Sequence, residues 1–190
     1  MDYKATLTLP QTDFPMRGNL PEREPQRLKH WESIRIYSRL LEQNKKTGKK
    51  YILHDGPPYT SGKAHVGTMT NRNLKDFIVR YKMMNGYCAP FHPGWDCHGL
   101  PSELKAMKAL KDGGRSLSAL EVRKLSKEFS AQNMEIMRED FKRQGCLADW
   151  SREYVTMRPS YEADIMRAFS AFVEKGLVYR DRKPVVWSIL

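Results

Sequence analysis

His65 and Thr68 stand three residues apart where a helical pattern opens, and an imidazole and a hydroxyl so spaced can grip an anion. After Gly62, the residues Met69, Leu74, Phe77, Ile78 and Tyr81 recur at roughly helical steps. Positions i and i+3 share one helix face, so both side chains project from the first turn. A helix start also offers unpaired N–H groups and a partial positive charge, which suit phosphate oxygens. A histidine in that place serves equally as a cap. Just upstream, Gly56-Pro57-Pro58 halts regular structure, because each proline fixes φ and removes a backbone donor. The same stretch narrowly misses a P-loop. Five residues, not four, separate Gly56 from Gly62-Lys63, and Ala64 stands where the Mg²⁺-binding hydroxyl belongs. A second loop carries Asp96, a carboxylate that either caps the following turn or receives a ligand's cation. Cys88, His92, Cys97 and His98 surround it in sequence, but no pair has zinc-finger spacing, so no metal or zinc site is expected.

Positioning these residues calls for a βαβ unit. The short apolar run Tyr51-Ile52-Leu53 reads as a buried strand, residues 65–85 as a helix with Gly86 past its end, and residues 87–92 as a second strand cut short by Pro93-Gly94. Such a unit is right-handed with parallel strands, and ligands bind beyond the carboxyl ends of those strands. Both informative loops, residues 55–63 and 94–101, fall there. Lys75, Arg80 and Lys82 are expected on the helix's polar side. Ahead of the unit, Pro25 is expected to open one amphipathic helix to about Asn44, with Leu28, Trp31, Ile34, Ile36, Leu40 and Leu41 as its stripe. A basic turn, residues 44–50, follows. Residues 1–24 form a proline-punctuated arm (Pro10, Pro15, Pro21) that Leu7, Leu9, Phe14 and Met16 could pin to a core. Downstream come a short helix over 101–111 ended by Asp112-Gly113-Gly114 and a long one over 116–144, whose Met134 and Met137 read as packing. A turn over 145–150, a helix over 161–175 closed by Gly176, and a strand starting at 183–188 complete the reading. The expected organisation is an arm and helix over 1–44, an α/β half-domain over 45–112 and a helical segment over 113–190.

The 190 residues carry 33 Lys+Arg against 22 Asp+Glu, and this net charge of +11 favours a polyanionic partner, nucleic acid first. At 40% hydrophobic and 29% charged, the composition is that of a globular chain and excludes a disordered one. Three cysteines without a CxxC pair, and a polar start, point to free thiols in a reducing, cytoplasmic setting. No apolar run approaches the roughly 18 residues of a membrane span, so a soluble protein is expected.

His54-Asp55-Gly56-Pro57-Pro58-Tyr59, then Gly62, then His65-Val66-Gly67-Thr68 resemble the signature of class I aminoacyl-tRNA synthetases in their bacterial isoleucyl form. The segments GWDCHGLP (94–101), PMRGNLPEREP in the arm and SREYVTM after Trp150 are similar to the same branch, so the resemblance spans nearly the whole chain. It implies the first half of a Rossmann-like nucleotide-binding fold with an N-terminal arm and a helical insertion. It further implies ATP accompanied by Mg²⁺, with isoleucine and tRNA(Ile) as the other substrates. The full-length enzyme is expected to be a monomer. Carried over residue by residue, His65 and Thr68 would meet the ATP phosphates and Gly67 would let adenine or ribose approach the helix backbone. Gly56-Pro57-Pro58 would wall the isoleucine pocket, and Asp96 would hold the ammonium group through a charge-assisted hydrogen bond. Tyr59, Gly62 and Val66 belong to the motif without a role of their own. Thr68 departs from the family, which places a second histidine there; Thr60, Ser61 and Ser102 differ too. No KMSKS-like segment occurs, so the chain is expected to be an N-terminal fragment with little activity alone. Two other readings use part of these features: an HxGH-type nucleotidyltransferase and a non-catalytic, basic tRNA-binding fragment.

Overall fold

Pro21, and not Pro25, opens the first helix. The computed structural model describes residues 3–8, 11–14, 17–108 and 117–188. The expectations placed on Leu9, Pro10, Pro15, Met16, Asp112-Gly113-Gly114 and the helix start at 116 lie outside them. Helix α1 spans Leu20–Ser33 with Pro21 in its first turn, where a missing N–H costs nothing. Pro25 lies inside it. The expected single helix breaks after Ile34, where Arg35 takes φ 49°, and α2 runs Ile36–Lys45. The stripe explains the break: Leu28, Trp31 and Ile34 follow helical steps, but Ile36 comes only two residues on. Leu7 and Phe14 do not pin the arm; they are 63% and 72% exposed and join neither core cluster.

Helix α3, Val66–Met84, starts where the sequence puts it and ends ahead of Gly86 at φ 80°. Its inward face differs from expectation. Arg72, Asp76, Val79 and Met83 are buried, while Leu74, Phe77, Ile78 and Tyr81 are exposed. Lys75 is likewise no solvent-facing charge; its ammonium donates to Asp55 Oδ1 at 2.7 Å. Buried charges on a helix persist when each finds a partner. Asp76 does so through Arg80 at 2.5 Å and the Leu147 N–H at 2.8 Å.

The strands are shorter than predicted and lie elsewhere. Pairing between residues 50–60 and 88–96 reduces to two parallel bridges, Lys50 with Cys88 and Tyr59 with Asp96. Ile52, expected in a buried strand, is 78% exposed. The ladder is interrupted where Pro57, Pro58, Pro90 and Pro93 supply no N–H. Regular pairing resumes at β1, Gly94–Trp95, which the sequence marks as a stop, and which runs parallel to β2, Tyr154–Val155. Segment 88–96 thus lies between 50–60 on one side and 149–156 on the other. The strand expected at 183–188 is not formed: these residues carry no regular secondary structure. Val186 and Trp187 are among the most exposed side chains.

Helix α4 covers Leu100–Lys108 and α5 covers Ala119–Arg143. A reciprocal cap opens α5: Ser118 Oγ accepts from the Glu121 N–H, and the Glu121 carboxylate accepts from the Ser118 N–H at 2.9 Å. Helix α6, Pro159–Glu174, buries none of its side chains among the described residues. Two apolar clusters hold the sheet to the helices. One gathers Ala64, Trp95, Cys97, Met137, Phe141 and Val155; the other gathers Val79, Met83, Ala89, Phe91 and Ala148; Trp150 packs against both. Met137 is 2% exposed, as a packing methionine should be.

Tyr37 ties α2 to this core. Its hydroxyl accepts from the Phe91 N–H at 2.9 Å and donates to the Phe91 carbonyl at 3.3 Å. Burial pushes its pKa up to about 12. The unfolded phenol ionises near pH 10 and the folded one does not, so stability is full below pH 10 and falls as pH rises towards 12. Tyr37→Phe is expected to cost about 1–2 kcal/mol at neutral pH, since it orphans a backbone N–H. It should also flatten the pH 10–12 decline in urea midpoints, which checks both statements.

Candidate functional site

The backbone of His65 is extended, with φ −87° and ψ 167°, and its side chain caps α3. Nδ1 accepts from the Thr68 N–H at 3.2 Å, and Nε2 lies 2.9 Å from Thr68 Oγ1. An Nδ1 that accepts carries no proton, so the neutral ring donates from Nε2 to the hydroxyl. The two residues singled out by spacing therefore hold each other. Gly67 makes room for this. A Cβ there would sit 3.1 Å from His65 Cε1 and 3.2 Å from Nδ1. In this conformation the imidazole lies over Gly67.

Around the helix start lies a cavity of about 250 Å³, lined by Gly56, Pro57, Pro58, His65, Gly67, Thr68, Asn71, Arg72 and Phe141. Six of the predicted site residues thus face one space. Two larger grooves, about 640 Å³ and 630 Å³, run along α1 and contain none of them. Chemistry, not size, marks the smaller cavity.

Asp96 does not line it but lies beside it. Its N–H donates to the Pro58 carbonyl at 2.9 Å, and its own carbonyl accepts from the Thr60 N–H at 3.0 Å. The carboxylate is half-buried at the end of β1 and, among the described residues, accepts one long bond, 3.4 Å, from the His98 N–H. No cation pairs with it among the described residues. Both earlier readings survive here: a weak turn cap and a carboxylate open to a ligand's charge. Tyr59 and Val66 are exposed, at 55% and 80%, and line no part of the cavity. Gly62, at φ 150°, turns the loop ahead of the helix. The departures pack inward: Thr60 is fully buried, and Ser102 is 1% exposed with its hydroxyl unpartnered among the described residues. Nor do three His, Cys, Asp or Glu side chains among those residues converge to hold a metal ion.

Three neighbours escaped the sequence reading. Asp55 is fully buried between Lys75 and Arg72. The Arg72 guanidinium lies between the rings of Phe91 and Phe141, 5.4 and 4.6 Å from their centroids. Tyr154 stacks between His54 and Tyr161, with centroids at 5.5 and 5.9 Å. A signal for the charged pair existed in the spacing from His65. Positions 68, 72 and 75 follow steps of three and four along one helix face.

Residues 26–190 match the family tRNA synthetases class I (I, L, M and V). The chain belongs to that family. Among curated relatives, the isoleucine–tRNA ligase of Fervidobacterium pennivorans is 50% identical over 187 residues, covering 98% of this chain and 20% of that protein. That of Bacillus subtilis is 50% identical over 188 residues, covering 99% and 20%. This class I synthetase chain thus spans about a fifth of the relatives' length. Its fold is similar to that of LeuRS in a ternary complex with tRNA and LeuAMS from Agrobacterium radiobacter. The TM-score is 0.67 at 26% identity, over 87% of this chain and 19% of that one. The α/β architecture is accordingly part of a class I synthetase domain. No helix among the described residues is long and apolar enough to cross a membrane.

Proposed function

We propose that this chain supplies the first half of the catalytic site of an isoleucine–tRNA ligase. The observation that carries the reading is the meeting of Gly56-Pro57-Pro58 with His65, Gly67 and Thr68 around one cavity, with Asp96 bonded through its backbone to Pro58. In the proposed reaction the isoleucine carboxylate attacks the α-phosphorus of ATP, pyrophosphate leaves, and a terminal tRNA ribose hydroxyl then takes the acyl group. No covalent enzyme intermediate is involved. The chain's part is positioning and electrostatic stabilisation. His65, released from Thr68, donates to the phosphate oxygens as charge builds on them. Thr68 adds a neutral hydroxyl donor and the helix start adds backbone N–H groups. Gly56-Pro57-Pro58 forms a rigid wall beside the amino acid side chain. Asp96, which pairs with no cation among the described residues, accepts the substrate ammonium and so selects α-amino acids by charge. Mg²⁺ would accompany ATP and offset its phosphate charge, and no residue of this chain is assigned to it. The net charge of +11 suits the tRNA backbone. A pocket alone separates isoleucine from valine only about 150-fold, a case for which this enzyme is the standard example, so further discrimination belongs to residues outside these.

The test is a chimera in which this chain replaces the matching fifth of the Bacillus subtilis enzyme. Isoleucine-dependent ATP–pyrophosphate exchange is expected within roughly 10²-fold of the parent, the loss that a misplacement of about 1 Å brings. The isolated chain should show little or none. A folded chimera without exchange, or one driven by another amino acid, overturns the proposal.

A further inference from the structure

Asp55 has no exposed surface, yet its contacts reach every part of the candidate site. Oδ1 accepts from Lys75 Nζ at 2.7 Å, and the same ammonium donates to the Gly56 carbonyl at 2.9 Å. Oδ2 accepts from the Gly94 N–H at 2.9 Å and lies 2.9 Å from Arg72 Nη1 in an ion-pair contact. Its carbonyl accepts from the Tyr154 hydroxyl. Lys75 and Arg72 stand on α3, which His65 caps and whose first turn carries Thr68, and Arg72 also lines their cavity. Gly94 opens β1, which leads directly into Asp96. Gly56 begins the proline wall.

We propose that Asp55 is a positioning residue that sets the separation between the phosphate-binding helix start and the amine-binding loop. This rests on the reading of His65, Thr68 and Asp96 given above. Asp55 itself touches no substrate, since nothing of it is exposed. A buried ion pair is by itself a poor source of stability, because desolvation offsets attraction. Here the carboxylate's own partners stand on α3, whose start carries His65 and Thr68, and on β1, which leads into Asp96, which is what a spacer between two binding halves requires. Two reacting groups held on separate elements lose about 10²-fold in rate for a shift of roughly 1 Å. A carboxylate fixed from both sides in low dielectric resists that shift.

Asp55→Asn keeps an oxygen for the Gly94 N–H but turns an amide towards Lys75. In native-state hydrogen exchange of the 190-residue chain, the Met69 and Asp96 amides report the two halves. Neither bonds to Asp55: they donate to the carbonyls of His65 and Pro58. Both are expected to exchange at least about tenfold faster in Asp55→Asn, while Tyr51 and Met137 keep their rates. His65→Ala should leave Asp96 unchanged. Equal acceleration of all four amides means a stability role only and overturns the proposal; so does acceleration of one half alone, or no change. In the chimera, Asp55→Asn should lower kcat about 100-fold with a full titre of adenylate-forming sites, and Asp55→Glu should recover part of it. A lowered titre at an unchanged rate per site overturns the positioning role. A chimera inactive with Asp55 intact counts against the proposed function alone, because the amide result is read without catalysis.

Discussion

Gly94→Ala is expected to lose about 3 kcal/mol of stability, the upper end for overpacking a core. A Cβ at this position would fall within the ring of Tyr154. Moving the ring would disturb its stacking with His54 and Tyr161 and the bond its hydroxyl donates to the Asp55 carbonyl. Burial raises its pKa, so it remains a donor through the physiological range. Gly94 also carries the N–H held by Asp55, so displacement on either side breaks the same junction. Urea titration reads the loss, and a double mutant identifies its cause. If the clash is responsible, Tyr154→Ala costs less in the Gly94→Ala background than in the native chain, because the small side chain relieves the overlap. Additive losses would mean that Gly94 matters for another reason.

Such junctions mark the boundary of what could be read from residue order. The start of α3, its end before Gly86 and the loops on either side were legible, because helical periodicity, glycine and proline act within a few residues. The convergence of the proline wall with His65 and Thr68 follows from the same local signals once a βαβ turn is assumed. The Asp55–Lys75–Arg72 cluster was not legible. Its partners lie 17 and 20 residues away along the chain, and the cluster overrides the helix's apolar stripe. Leu74, Phe77 and Tyr81 make a convincing helix and yet face outward. Periodicity reports that a face exists, not what covers it. The strands misled for a related reason: their apolar runs are real, but proline removes the donors that a ladder needs.

The largest effects on activity are expected at the two ends of that junction, and they should differ in kind. In the chimera, His65→Ala is expected to lower kcat for adenylate formation roughly 10²–10³-fold, the usual loss when one donor to developing transition-state charge is removed. KM for isoleucine should hardly move, because the imidazole would meet phosphate and not the amino acid. Asp96→Asn should do the reverse. An amide retains the shape and one acceptor but surrenders the charge on the ammonium group. A hydrogen bond to a charged partner contributes about 1.5–3 kcal/mol, so KM for isoleucine should rise roughly 10- to 100-fold. Steady-state exchange kinetics with isoleucine and ATP varied separately distinguish the patterns. If both variants raise KM alone, His65 binds the ground state and is not a transition-state donor. If both lower kcat alone, Asp96 takes no part in holding the amine and its long bond to the His98 N–H is its whole function. Only the crossed pattern fits a site whose two halves face different parts of one reaction, brought together by the backbone bond from Asp96 to Pro58.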